Sequence, residues 1–357
     1  MQLKYKRRLP PQGAYKTAIR PPELVAKLGQ NENAFGTTPK VVEALRNFDA
    51  SLIFRYPDPQ AVALREKIAK YVGLGVSPSN VACFSGVDEA IRVVSSFFLD
   101  ERSTMVCVKP TFAIYPLAAT FYGTKISAIP LERDFSFSNN TCEAIVEAIP
   151  TADLVCLCNP DNPTGTTIKR QYLERIISAA EEKSIPVIVD EAYFEFFGET
   201  IMDLVLRKPN LIVFRSMSKS FGLAGLRLGF LVSSEELAGE ARRWKPIFNV
   251  NNFAQVLGAA ALDDLDFVKI TSAKIIESRE ALSKAVSALG IKVYPSKGNF
   301  ILAHLSDNVF DGLLENGVET RDFVFEGYDG KFVRITAGSP QENEYVVKTL
   351  AKLLGRS

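Results

Sequence analysis

Lys219 stands between Ser218 and Ser220 in the stretch SMSKSFGLAGLRLGF (216–230), and Arg227 follows eight positions later. A lysine so placed reads in two ways. It is a counter-ion in an anion site, or it is an amine nucleophile that condenses with a carbonyl cofactor. Asp190 poses a matching problem. It closes the apolar run PVIVD (186–190), where a lone carboxylate is costly without a cation. Ser216, Ser218 and Arg227 offer hydroxyls and a fixed positive charge, a set suited to phosphate. A turn opening a helix at Gly86–Val87–Asp88 would add unclaimed backbone N–H groups of the same use.

The elements that must position these residues are legible as short β-branched runs. They are VACFS (81–85), TMVCV (104–108), KISAI (125–129), LVCLC (154–158), PVIVD (186–190), LIVFR (211–215) and RLGFLV (227–232). Amphipathic stretches such as DEAIRVVSSFF and IKRQYLERIISAAEEK lie between most of them. This alternation predicts an α/β fold, a mainly parallel sheet covered by helices. The polar clusters GVDEA, NPDNPTG, EAY and SMSK each follow one of the runs. In a parallel sheet the C-terminal strand ends share one edge, so the four clusters should converge there. Singly, GVDEA reads as a helix start with an acidic first turn and NPDNPTG as a turn-rich loop. Together they ask for a ligand with a phosphate, a carbonyl and a cationic ring nitrogen. Pyridoxal phosphate has all three. The chain has no G-x-G-x-x-G and no Walker loop, which disfavours nicotinamide and nucleotide ligands.

The 357 residues are 47% hydrophobic, enough for a large core and a two-domain prior. After about residue 245 the texture changes to helix-rich sequence with isolated strands at 291–294, 299–304 and 332–336, then a closing helical stretch ENEYVVKTLAKLL. The expected layout is an arm over 1–30 joining the small domain, a large domain over 31–245 and a smaller α+β domain over 246–357. The net charge of +1 carries no global field for nucleic acid or an anionic membrane. The basic KYKRR (4–8) reads as a solvated arm. No run is apolar for 18 residues, and no apolar signal-peptide stretch opens the chain. The five cysteines have no metal-ligand spacing, and Cys156 and Cys158 read as strand residues on one face. The expectation is a reducing, cytoplasmic compartment. His304, in NFILAHL, is the only histidine and reads as a strand residue with a satisfied ring, which disfavours a His-centred triad and leaves a multi-His metal site without its ligands.

The stretches NENAFG, RYPDP, GVDEAI, PTFAIY, NPDNPTGT, VDEAYFEF, SMSKSFGLAGLRLGF and FNVN run in order from residue 31 to VRITAGS at 333–339. They resemble the fold-type I pyridoxal-phosphate aminotransferases of class I and II, and among these the histidinol-phosphate aminotransferases. The resemblance implies that Lys219 holds the cofactor covalently and then shuttles a proton. It implies that Asp190 pairs with the pyridine nitrogen, and that Tyr193 and Asn162 hydrogen-bond the phenolic oxygen. Phe112 would stack on the ring; the plainer reading is a core aromatic. Gly86, Val87, Asp88, Ser216, Ser218 and Arg227 would hold the phosphate. Tyr56 would reach the phosphate bound by a neighbouring subunit, which implies a homodimer with composite sites. Asn33, Asn162, Arg321, Arg334 and Tyr15 would contact substrate, the two arginines binding its phosphate or the carboxylate of the keto acid.

By the same resemblance the reaction moves the amino group of histidinol phosphate to or from 2-oxoglutarate in histidine biosynthesis. An aromatic amino acid aminotransferase and a threonine-phosphate decarboxylase are the competing readings, and a non-catalytic regulator is a third of another class. Partners would be a small amine and a keto acid, without nucleic acid or membrane. The chain departs from the pattern at Ala34, Val87, Phe248 and Gly298. Val87 still donates its backbone amide; Ala34 and Phe248 bear on substrate.

Overall fold

The structure, a computed structural model, describes residues 24–356. A short strand β1 (Ala26–Lys27) comes first. The apolar runs then fold as β2 (Val81–Phe84), β3 (Thr104–Lys109), β4 (Lys125–Pro130), β5 (Leu154–Cys158), β6 (Val187–Asp190), β7 (Leu211–Ser216) and β8 (Gly229–Ser233). They form one seven-stranded sheet in the order β2-β8-β7-β6-β5-β3-β4. Every residue of β2, β5, β6, β7 and β8 is buried, because helices cover both faces of the sheet. β3 pairs in parallel with β4 and β5, and β5, β6 and β7 continue in parallel. β8 runs against both of its neighbours, β2 and β7. The C-terminal ends of β2 to β7 therefore share one edge, as the mainly parallel expectation required.

Later in the chain come β9 (Lys292–Tyr294), β10 (Phe300–Leu305), β11 (Val318–Glu319), β12 (Arg321–Phe323) and β13 (Lys331–Thr336). An antiparallel sheet has the order β12-β13-β10-β9, and β1 pairs in parallel with β11. Ala26 and Leu28 lie in the core of this region with Ile301, Val318, Val333 and Val346. The helix Asn252–Ala261 packs on the helices Pro39–Arg46 and Val62–Val72, on the large-sheet side of the division expected at 245/246. The 24-residue helix Leu265–Ala288 contacts the helix Phe194–Phe197 beside the large sheet and also β9, β10 and the final helix Pro340–Leu353. Ser339 caps that final helix, with Glu342 returning to the Ser339 N–H.

His304 lies on β10, stacked on Phe332 at 4.6 Å, with Nε2 at 2.5 Å from the Asp329 carbonyl oxygen. All five cysteines are free and buried. Among the described residues no cluster of His, Cys, Asp and Glu could hold a metal, and no helix is long and apolar enough to cross a membrane.

Candidate active site

A cavity of about 570 Å³ opens at the C-terminal edge of the large sheet and reaches the β11–β13 region. Its lining brings together Val87, Asp88, Phe112, Asn162, Asp190, Tyr193, Ser216, Ser218, Lys219, Arg227, Arg321 and Arg334, which are scattered over about 250 positions of sequence.

The phosphate-suited corner forms where helix Val87–Phe98 begins. Gly86 is its N-cap at φ +83°, and no side chain caps the first turn, so the leading amides remain for a ligand. A Cβ on Gly86 would lie 2.7 Å from Arg227 Nη2, and one on Gly229 would lie 2.8 Å from the Val87 nitrogen. Gly86 needs glycine for its positive φ, and Gly229 for the close approach of backbone atoms. Arg227 itself has φ +53°, a left-handed conformation that costs a non-glycine residue of order 1 kcal/mol or more. The turn brings its guanidinium to the helix start, 3.8 Å from Asp88 Oδ2. Ser216 Oγ accepts the Ser218 N–H at 3.2 Å, which leaves the Ser216 hydroxyl hydrogen to donate to an anion.

Asp190 ends β6 at 5% exposure. Tyr115 donates its hydroxyl to Oδ2 at 3.0 Å, and Ala192 donates its N–H to Oδ1 at 3.0 Å. Burial raises the Asp190 pKa to about 7; the two donors offset part of that, while Asp88 and Asp161 add to it. A carboxylate so perturbed calls for a cationic ligand group. Behind it, a buried ion pair between Glu191 Oε2 and Arg215 Nη2 at 2.6 Å clamps the ends of β6 and β7. Arg215 also lies 3.5 Å from the centre of the Phe194 ring.

Lys219 is half-buried, and its Nζ donates to the Gln30 carbonyl at 3.0 Å. Burial, then the nearby Arg334 charge, lowers its pKa from 10.5 to about 8, with Arg227 helping and Glu32 opposing. One residue earlier, the Gly29 carbonyl accepts from Arg334 Nη2 at 2.6 Å. Arg334 Nη1 donates to Asn162 Oδ1 at 2.6 Å. Arg321 and Arg334, thirteen apart in sequence, stand directly opposite each other in the β12–β13 ladder.

One expected contact falls elsewhere. Asn33 does not line the cavity: its Nδ2 donates to the Ser220 carbonyl and its Oδ1 accepts the Phe35 N–H, each at 2.9 Å. The asparagine of this motif that does line the cavity is Asn31, whose Nδ2 donates to the Tyr193 hydroxyl at 2.9 Å. Tyr56, expected to reach a neighbouring subunit's site rather than this chain's own cavity, is 80% exposed and stacks on Phe248 at 4.4 Å. Tyr15 lies outside the described residues. Tyr115, Glu319 and Thr320 were not singled out from sequence. Tyr115 sits three residues beyond Phe112 in PTFAIY, a polar tip in an apolar helix, and that was the available signal.

The donor set fits pyridoxal phosphate. The helix start with Arg227 suits the phosphate, Asp190 suits a protonated ring nitrogen, and Lys219 suits the carbonyl. Comparison with known proteins agrees. The family model for aminotransferase class I and II matches residues 24–350. The histidinol-phosphate aminotransferase of Thermoanaerobacter sp. (strain X514) is 37% identical over 333 residues, covering 92% of this chain and 93% of that one. That of Roseiflexus castenholzii (strain DSM 13941 / HLO8) is 36% identical over 348 residues, covering 93% and 91%. The crystal structure of the Sinorhizobium meliloti histidinol-phosphate aminotransferase in complex with pyridoxal-5'-phosphate superposes with a TM-score of 0.84 at 25% identity, covering 93% and 92%.

Proposed function

We propose, from the premise that the chain belongs to the class I and II aminotransferase family, that it moves an amino group between histidinol phosphate and 2-oxoglutarate in histidine biosynthesis. It is a transaminase and its cofactor is pyridoxal phosphate. When bound, that group supplies an electrophilic carbonyl and a protonated ring that accepts electron density from the substrate α-carbon.

The chain's own residues do the rest. At pH 7 a Lys219 pKa of about 8 leaves about a tenth of the amine neutral, near the balance that general base catalysis favours. Lys219 Nζ takes the proton from the α-carbon of the amine donor and, in the second half-reaction, delivers one to the α-carbon of the keto-acid acceptor. Asp190, its two oxygens fixed by Tyr115 and Ala192, holds positive charge on the ring nitrogen. The first-turn amides of Val87 and Asp88, with Ser216, Ser218 and Arg227, hold the phosphate. Phe112 covers the ring, and Tyr193 and Asn162 address its phenolic oxygen.

The observation that carries the substrate reading is the facing pair Arg321 and Arg334 in the cavity that also holds Lys219. Two guanidinium groups suit a phosphate dianion on the amine donor, and one carboxylate on the keto acid. The subunits pair as a homodimer: Tyr56, Phe54, Ile53, Ile247 and Phe248 are exposed apolar or aromatic residues, and covering them would carry Tyr56 to the partner's cofactor phosphate. Five free thiols suit a reducing, cytoplasmic compartment.

Glutamate formation from 2-oxoglutarate with histidinol phosphate, histidinol, tyrosine and phenylalanine as donors decides the substrate. Histidinol phosphate should win by a wide margin. Arg321→Ala should cost it about 1.5–3 kcal/mol in kcat/KM, the range for a lost charged hydrogen bond, and cost aromatic amino acids much less. Faster turnover of tyrosine or phenylalanine than of histidinol phosphate would defeat the substrate assignment and leave the transaminase intact.

A further inference from the structure

Asp161 has no place in the chemistry above, yet it is 1% exposed and stands one residue before Asn162. Its Oδ1 accepts the Thr111 hydroxyl at 2.8 Å. Its Oδ2 accepts the Thr164 hydroxyl at 2.8 Å and the Thr164 N–H at 3.4 Å. The Thr164 contacts stay within one turn, which backbone bonds already close: the Gly165 N–H donates to the Asp161 carbonyl at 2.9 Å, and the Asp161 N–H to the Thr166 carbonyl at 2.8 Å. The Thr111 contact is different in kind. Thr111 belongs to the loop after β3, and Asp161 to the loop after the neighbouring β5. The carboxylate therefore ties two loops together at the edge where the cavity opens. Burial raises its pKa to about 6, and the groups that offset this are neutral: the two threonines and the Asn162 N–H. A buried acid held by neutral donors is an expensive way to secure a turn.

We propose that Asp161 is a positioning residue: through Thr111 it sets where Phe112 lies over the cofactor ring, relative to the Asn162 amide at the phenolic oxygen. The inference rests on the proposed roles of Phe112 and Asn162 and deepens them. Thr111 is followed by Phe112, and Asp161 by Asn162. Asn162 is held from its far side as well, since Arg334 Nη1 donates to its Oδ1. Phe112 is half-buried and meets Tyr115 edge-on, with centroids 6.4 Å apart, an apolar contact of little directional force. The directed bond beside it is that of Thr111 to Asp161. The other partner of the same hydroxyl, Cys158 Sγ at 3.5 Å, is a weak acceptor, whereas a carboxylate is a strong one. Misplacing a contact by about 1 Å can cost about 100-fold in rate. A bond that fixes the gap between two cofactor contacts therefore acts on turnover as well as on stability.

Thr111→Val and Thr164→Val each take one hydroxyl from the same carboxylate with little change of shape, so both should lower the Tm of the holoenzyme. Only Thr111→Val should reach the cofactor. Its kcat/KM with the best amine donor should fall about 5- to 50-fold, and the visible circular dichroism per bound cofactor, which reports how the ring is held, at least about twofold. Thr164→Val keeps the tie between the loops and should stay within about twofold of wild type in both, as should Thr111→Ser, which keeps the hydroxyl. A Thr164→Val effect as large as that of Thr111→Val, no effect of either, or a Thr111→Ser variant as impaired as Thr111→Val would overturn the proposal. Should Thr111→Val fail to fold, Thr111→Ala is read in the same way. Phe112→Ala and Asn162→Ala supply the reference. If neither alters the dichroism, the roles given to those two residues fall and this inference with them. If they alter it and Thr111→Val does not, only the role of Asp161 falls.

Discussion

Asp190→Asn is expected to stabilise the cofactor-free protein while nearly abolishing turnover. Burial raises the Asp190 pKa from 3.8 to about 7. In the unfolded chain the same carboxyl loses its proton near pH 4. Between about pH 4 and 7 the folded form keeps a proton that the unfolded form has released. Stability therefore falls as pH rises through this window, and stays at the lower level above it. A gap of about three pH units, at about 1.36 kcal/mol each, sets an upper limit near 4 kcal/mol at pH 8. Asparagine removes the charge but must refit the donors Tyr115 and Ala192, so the realised gain is about 1–3 kcal/mol. With an unfolding entropy of about 2.1 cal/mol/K per residue over 357 residues, that is an increase in Tm of about 1–4 °C. The assay is thermal unfolding of both stripped proteins from pH 4 to 8. The advantage of the variant should be absent near pH 4 and full at pH 8. Added pyridoxal phosphate should then raise the wild-type Tm more than the variant's, and kcat of the variant should drop by about 10²–10³. A stripped variant less stable than wild type at pH 8, or a difference independent of pH, would refute the claim that this carboxylate is kept for its ligand.

Stripped enzyme should capture pyridoxal phosphate faster as pH rises through about 8, because burial and the Arg334 charge favour the neutral Lys219 amine. Arg334→Gln removes that charge and should move the midpoint upward; a midpoint unchanged or lowered speaks against this electrostatic coupling. Tyr56→Phe should weaken cofactor affinity by about 1 kcal/mol, one lost hydrogen bond. Mixed dimers of Lys219→Ala subunits with subunits inactivated around Tyr56 should regain activity, and a protein that stays monomeric at assay concentration contradicts the shared site.

The large sheet was legible because each strand is an apolar run bounded by turn residues, and β5 to β7 bury every side chain. Convergence of Lys219, Asp190, Asn162 and Val87 followed from strand direction alone. The reversed direction of β8 did not, since an apolar run looks the same read either way along the sheet. Asn31 and Asn33 are two positions apart in one motif, and only the backbone turn, with Asn31 at φ +54°, decides which faces the cavity. The pairing of Arg321 with Arg334 depends on hairpin register, which spacing by itself leaves open. Asp161 was hidden for a different reason: in a turn-rich loop an acid reads as exposed, and only its burial makes it conspicuous.

The most direct measurement concerns Lys219. The yellow holoenzyme is reduced with borohydride, digested, and its peptides mapped by mass spectrometry. Reduced cofactor should be attached to the peptide containing Lys219 and to no other, and Lys219→Ala protein should carry no label and show almost no amino transfer. Label on a different lysine, or undiminished transamination by Lys219→Ala, would contradict the account at its centre.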